Sequence, residues 1–381
     1  MCNQERSVLS ICRRATRRAA PVLFFTVSLV ATIVFPMAAG AKTLDVVTTV
    51  PDLASLAREI GGDAVQAEAL TRGTQDPHLL DPRPSFIQRL SKADLFLEVG
   101  LELEVGWAPV LTKNARNPKV LSGQPGYLDA STAIVPIRSN ASRIDRSMGD
   151  VHAGGNPHYL LDPVNGWRVA GAIREHLSQL APERAVYFSE RYADFEGRIS
   201  ALLFGDTLAK QHPAAQLMEE LDAGTLDTFL KSNGASENTA GLLARMRPYA
   251  RARTAADHDL WPYFARRFGI EIAASLEPFP GIAPTTSHLQ QVITNMQAQK
   301  IGVILSVPYF DRRHAERVAE KTGAVIADMA HQVGSRPGTD DYLSMVRYNV
   351  ETLAAALDKA AAFKKTAGLT KTATYFQTEA P

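Results

Sequence analysis

The chain repeats one pattern twice: strand-sized apolar segments alternate with helix-sized amphipathic ones on either side of a long helical stretch, and few folds accommodate that. In the first series, residues 43–48 alternate and are rich in β-branched side chains, 51–60 carry a helical apolar stripe with Asp52 near its start, and 65–70 form a second strand. A helix at 84–93, a short buried strand at 95–99 and a helix at 102–114 follow. The second series runs strand 252–256, helix 261–268, strand 270–275, helix 285–299, strand 303–307, helix 312–322, strand 324–328 and a last helix over about 341–359. Strands alternating with helices imply mostly parallel sheets covered on both faces. The sequence therefore predicts an α/β fold of two lobes, each a mostly parallel sheet flanked by helices, joined by one long connecting helix.

The connector shows as a stripe. Residues 163–180 read as one helix, and Pro182 starts another at a position that proline tolerates. Phe188, Tyr192, Phe195, Ile199 and Leu202 then recur at steps of four, three, four and three, with Glu190, Arg191, Asp194 and Arg198 off the stripe. A helix over 183–204 spans roughly 33 Å at 1.5 Å per residue, enough to run behind two neighbouring lobes. Residues 205–253 read as helical and polar, and residues 365–381 as a loosely held tail.

The first 41 residues read as an export signal: Arg13, Arg14, Arg17 and Arg18 precede an apolar run over 21–35 and small residues ending in Ala39-Gly40-Ala41. Cleavage is expected after Ala41, which directs the mature chain to the periplasm. The apolar run is short for a transmembrane helix. Both cysteines, Cys2 and Cys12, fall in the removed segment, so the mature chain has neither a thiol nor a disulfide to rely on. A length of 381 residues with 45% hydrophobic and 21% charged side chains suits a soluble protein of two domains. A formal net charge of +1 gives no basic excess for nucleic acid.

Chemistry concentrates in the loops. Asp76-Pro77-His78 and Asn156-Pro157-His158 each place an imidazole after a proline, whose ring fixes its own φ and holds the residue before it extended. Such histidines are presented on stiff backbone. In the second half, His258 and Asp328 fall where strands end, as His78 does in the first. In parallel α/β sheets, ligands gather beyond the carboxyl ends of the strands. Three imidazoles and one carboxylate, two per lobe, suit a tetrahedral metal site in the cleft between two sheets. His152 lies six residues before His158 in the polar segment 139–155 and reads as a stray histidine of a solvated loop. His331, three residues beyond Asp328, is the first alternative ligand.

Four segments in order carry a resemblance: Gly73-Thr74-Gln75-Asp76-Pro77-His78, the stretch from Gly155 through Asn156-Pro157-His158-Tyr159 to Asp162-Pro163, Asp257-His258-Asp259-Leu260-Trp261-Pro262-Tyr263-Phe264, and Ala327-Asp328 followed by the run from Thr339 to Asn349. Together they resemble the metal-binding solute receptors of ABC importers, the periplasmic zinc and manganese receptor family, over nearly all of the mature chain. The resemblance implies one transition metal held by His78, His158, His258 and Asp328 between two lobes. It also implies delivery to an ABC permease in the inner membrane by a protein that is not an enzyme. Manganese receptors of that family often carry a carboxylate at the third position, so His258 places the chain in the zinc branch, with Zn²⁺ as the bound ion and Mn²⁺ the poorer fit. The expected organisation is a signal peptide at 1–41, an N-terminal metal-binding lobe at 42–181, the connecting helix at 182–204, a C-terminal metal-binding lobe at 205–364 and the tail. The expected protein is a monomer with no nucleic-acid partner, and a metallochaperone is a further candidate partner. Two rivals remain at this point: a zinc hydrolase, since three histidines with a labile fourth position also form a catalytic arrangement, and a metal-stabilised surface adhesin of the same fold.

Overall fold

The computed structural model describes residues 42–138, 152–235, 240–279 and 281–375, with side chains as far as residue 362. The expected signal peptide lies outside the described residues, as does most of the loop before His152. From Lys42 onward the chain forms one compact unit.

Two four-stranded sheets, parallel throughout, organise that unit. The first contains β1 (Leu44–Thr48), β2 (Val65–Ala69), β3 (Leu95–Glu98) and β4 (Tyr127–Asp129) in the order β2-β1-β3-β4. The second contains β5 (Arg253–Ala256), β6 (Glu271–Ser275), β7 (Val303–Ser306) and β8 (Val325–Asp328) in the order β6-β5-β7-β8. The two orders are the same. In each sheet the chain steps first to one side of the opening strand and then to the other, which leaves a crevice beyond the carboxyl end of that strand.

The helices are α1 (Pro51–Gly61), α2 (Pro84–Leu90), α3 (Ala108–Ala115), α4 (Pro163–Leu180), α5 (Ala185–Phe204), α6 (Asp206–Gln211), α7 (Ala214–Ala223), α8 (Leu226–Ser232), α9 (Gly241–Met246), α10 (Pro262–Phe268), α11 (Thr286–Gln299), α12 (Arg312–Thr322) and α13 (Tyr342–Tyr375). Helices α1, α2, α4 and α10 begin on proline, whose missing N–H falls where a helix has no acceptor to offer. The main core is continuous between the lobes: Leu53 and Leu56 of α1, Ile173 of α4, Phe188, Phe195 and Ile199 of α5, Phe264 of α10 and Leu353 of α13 belong to one buried cluster. Each sheet also has a private core on its outer side, built around Phe86, Phe96, Trp107 and Leu111 in the first and Leu289, Val292, Ile304 and Val318 in the second. One face of each sheet is thus spent locally and the other on the shared centre.

Four expectations need correction. The helix expected over 102–114 forms only as α3, because the Glu104 carboxylate turns back to accept from the backbone N–H groups of Val99 at 2.8 Å and Gly100 at 3.1 Å. Leu101 and Glu102 sit there at positive φ, 51° and 67°, which no helix allows. Residues 205–253 are not a polar helical stretch: among the described residues, four short helices and a final turn bury Leu208, Leu217, Met218, Leu226, Leu230, Leu242 and Met246 in the main core. The connecting helix begins as a 3₁₀ turn, Pro182–Arg184, before α5 takes over. At the other end, the backbone of α13 stays helical to Tyr375, past residue 359.

Candidate metal centre

Each of three loops presents one histidine, and each loop is fixed by hydrogen bonds of its own. After β2 the chain continues its ladder (Leu70 N–H to Thr48 O, 2.8 Å; Thr71 N–H to Thr49 O, 3.1 Å) before reaching Asp76. The Asp76 carboxylate accepts from the His78 backbone N–H at 3.0 Å and pairs with its Nδ1 at 2.8 Å, while Trp107 Nε1 donates to Pro77 O at 3.1 Å. With Nδ1 engaged, His78 Nε2 is left buried and without a hydrogen-bond partner. A buried polar atom of that kind calls for an explanation.

His158 is held by Asn156, whose side-chain oxygen accepts from its backbone N–H at 2.9 Å. A 3₁₀ turn, Tyr159–Leu161, follows, and Asp162 then caps α4 through the Val164 N–H at 3.0 Å. His258 follows β5 through Asp257, whose Oδ2 accepts from Val307 N–H at 2.7 Å, and His258 Nδ1 pairs with Glu277 Oε2 beyond β6. The His158 and His258 segments are also joined directly. Asn156 Nδ2 donates to Asp259 O at 2.8 Å, Tyr263 O–H donates to Asn156 O at 2.9 Å, and Arg267 donates to both oxygens of the fully buried Asp162 at 2.7 and 2.9 Å.

The result is a cluster. One ligand atom from each of His78, His158 and His258 lies within 4.8 Å of the others. The rings meet edge to face, with centroids 5.2 Å (His78–His158), 5.9 Å (His78–His258) and 5.9 Å (His158–His258) apart. Two nitrogens bound tetrahedrally at about 2.05 Å would lie about 3.4 Å apart, so a small contraction would close the triad on an ion. Burial first, then the charges of the neighbouring imidazoles, hold His158 well below its usual pKa. Burial also pulls His258 down, but the hydrogen bond and charge of Glu277, with Asp257 and Asp76 behind it, outweigh that and leave it raised. Asp76 and Glu277 stand where carboxylates orient metal-binding imidazoles and make them better donors.

Of the four residues picked out by sequence, three come together and Asp328 does not. Asp328 ends β8 with its side chain 39% exposed, in an ion pair with Arg312 at the start of α12 and another with Arg336 at 3.3 Å. The carboxylates whose charge acts most strongly on His258 are Glu277, Asp257 and Asp76. His331 is buried, with Nε2 3.1 Å from Gln75 O, and packs on Tyr309 at 4.7 Å, outside the triad. His152 is no stray loop residue: its ring stacks on His78 at 5.3 Å and 23°. Burial, then repulsion from His78 and His258, pushes its pKa down to about 4. Its signal in the sequence was the pair Gly154-Gly155 that turns the chain back toward His158. Gly155 has φ of +129°, and a Cβ there would come within 2.7 Å of Pro136 Cβ. Glu277 and Asp76 had no role assigned from sequence. Asp76 could have been found from its place two residues before His78; Glu277, distant in the chain, could not.

Two like-ordered parallel sheets on a common core hold the three imidazoles together, and the family match supplies the class, the metal-binding substrate-binding proteins of ABC transporters. Within it, this chain belongs to the family described as zinc-uptake complex component A, periplasmic (ZnuA), whose profile matches residues 46–212 and 235–356. It is a metal-binding substrate-binding protein and not an enzyme, which removes the hydrolase reading. Among its relatives, it is 23% identical over 326 residues to the manganese ABC transporter substrate-binding lipoprotein PsaA of Streptococcus pneumoniae, covering 84% of this chain and 91% of that one. It is 24% identical over 332 residues to the zinc-binding protein TroA of Treponema pallidum (strain Nichols), covering 84% and 90%. In fold it is similar to the crystal structure of ZnuA (TM-score 0.61, 21% identity, 83% of this chain and 99% of that one). It is also similar to a cadmium-bound periplasmic metal-binding protein from Candidatus Liberibacter asiaticus (TM-score 0.58, 19% identity, 82% and 99%). No helix among the described residues is long and apolar enough to cross a membrane.

Proposed function

We propose that this protein captures Zn²⁺ outside the cytoplasm, between its two sheets, through His78, His158 and His258, and delivers it to an ABC permease in the inner membrane. The observation that carries this is the convergence of the three imidazoles, His78 and His258 buried and His158 partly so, two of them backed by carboxylates, with His78 Nε2 lacking a hydrogen-bond partner. Three nitrogen donors favour a borderline ion such as Zn²⁺ over Mn²⁺, which prefers oxygen. Asp328 joins the site only by releasing Arg312 and Arg336. Residues 1–41 would direct export to the periplasm, and the receptor would act as a monomer, with lobes at 42–181 and 205–364 joined through 182–204. A metallochaperone remains a candidate for loading.

Competition titrations of zinc against manganese on the purified protein test the reading. One equivalent of Zn²⁺ should bind and should displace Mn²⁺. Zinc at a thousandfold excess over its dissociation constant should add roughly 4 kcal/mol of stability. His158→Ala should stay folded on its intact core and weaken zinc binding by about a hundredfold or more, since an apparent zinc affinity of about 10–16 kcal/mol is shared among some four ligands. Unchanged zinc affinity in that variant would defeat the assignment.

A further inference from the structure

We propose that His152 is the fourth metal ligand of this protein, completing an all-imidazole site with His78, His158 and His258; this rests on the receptor reading above. Three protein nitrogens leave one tetrahedral position to fill. The expected occupant, Asp328, is neutralised by two guanidinium groups. His152 is already beside the site: its ring centroid is 5.3 Å from that of His78, about the 5.2 Å that separates His78 from His158. Its Nε2 is buried and has no hydrogen-bond partner, the condition that also marks Nε2 of His78.

The backbone around it is built to hold that position. Ala153 N–H donates to Glu102 Oε2 at 2.9 Å, Gly155 N–H donates to His152 O at 3.3 Å, and Asn156 N–H donates to Ile137 O at 2.8 Å. The turn is therefore pinned at Ala153 and again at Asn156, two residues before His158. What His152 still lacks is orientation. It lies face to face with His78 at 23°, whereas the three ligand rings meet one another at 68° to 78°. Rotation off the stack, as the triad contracts around an ion, brings its Nε2 toward the centre without moving the pinned backbone. A closed site of four nitrogens excludes water from the ion and strengthens the preference for nitrogen-loving metals over Mn²⁺.

The direct test is His152→Cys in the full chain, loaded with one equivalent of Co²⁺. A thiolate-to-cobalt charge-transfer band in the near ultraviolet, absent from the parent that carries only Cys2 and Cys12, is the expected result; its absence overturns the proposal. In parallel zinc titrations, His152→Ala should weaken binding by at least about tenfold, the lower end of what even outer ligand partners cost. Asp328→Asn should change it by no more than a factor of about five, as for an exposed ion pair. A larger loss in Asp328→Asn than in His152→Ala assigns the fourth position to Asp328 instead. Either failure leaves the receptor reading standing as long as His158→Ala still abolishes tight zinc binding.

Discussion

The second sheet carries His258 just beyond one strand and Asp328 at the end of another, and it treats them in opposite ways. Beyond β5, His258 is 4% exposed and has the Glu277 carboxylate behind its Nδ1, which leaves its other nitrogen free to face the centre. At the end of β8, Asp328 has Arg312 and Arg336 in front of its oxygens. The first sheet sides with His258: His78 has Asp76 behind it. A side chain becomes a metal donor through what stands behind it, and a strand-end address alone does not suffice. A carboxylate behind an imidazole aims and strengthens the donor, whereas a guanidinium in front of a carboxylate consumes it.

The contrast breaks most completely when the framework under the histidines is removed. Arg267 lies beneath both the His158 and His258 segments. It donates to Asp162, which is fully buried, and also to Asp222 of α7 at 2.6 Å. Arg267→Met keeps the volume and leaves the Asp162 charge only the longer pair with Arg266 at 3.5 Å; breaking a buried pair typically costs about 3–5 kcal/mol. Urea unfolding should show a loss of that size, together with weaker zinc binding. A loss below about 1 kcal/mol would mean that the two segments are held by the shared core and not by this tie. Asp222 has added interest, because the family profile passes over residues 213–234 and α7 supplies the carboxylate from there.

Glu277→Gln addresses the His258 side of the comparison more narrowly. It keeps the shape and removes the charge, and zinc affinity should fall about 10- to 100-fold with little change in folding. An unchanged affinity would place Glu277 with the structural ion pairs and remove the distinction drawn here.

How much of this could be read in the sequence depended on range. The strands and helices were legible because their period is local: α12 and α4 run over the residues their patterns marked, and β5 to β8 lie within a residue or two of expectation. The three converging histidines were legible because proline or a strand end marks each one. What was hidden is what long-range contacts decide. Nothing near residue 258 in the chain says that the Glu277 carboxylate will stand behind its ring, and nothing near 162 says that Arg267 will reach back to pair with it. The three-residue β4 is too short to carry a period, and it exists because β3 offers it a partner.

Buried carboxylates give a third measure of environment over address. Burial pushes Glu104 up to about 8, and Asp52 and Asp257 to about 7. A carboxyl whose folded pKa lies above its unfolded value binds more protons when folded. Its stabilisation is full below the unfolded value near 4.5 and drains away as pH rises toward 8. These three carboxyls therefore favour the folded state less as pH rises from 5 to 8. Below about pH 6.5 they are opposed by His152, His158 and His331, whose depressed pKa values act in the other direction. Glu104→Gln should shift the slope of stability against pH upward by up to about 1.4 kcal/mol per pH unit relative to the parent. Denaturation at pH 5, 6, 7 and 8 measures it. Parallel profiles for parent and variant would show that the two backbone N–H groups hold Glu104 charged despite its burial.

The smallest expected effect tests the Asp328 side. Its ion pair with Arg312 joins two side chains that are 39% and 47% exposed, and such pairs contribute between about 0 and 1 kcal/mol. Arg312→Gln should therefore barely alter stability. Its value lies in zinc affinity. If the arginines merely occupy a carboxylate that has no part in the site, freeing one of its oxygens changes nothing, and affinity stays within a factor of about five. If Asp328 is a ligand held in check, loosening its restraint lowers the cost of reaching the ion, and zinc binds more tightly in the variant than in the parent. Arg312→Gln with Arg336→Gln sharpens the result, because no guanidinium then competes. A gain that grows from the single to the double variant would return Asp328 to the metal.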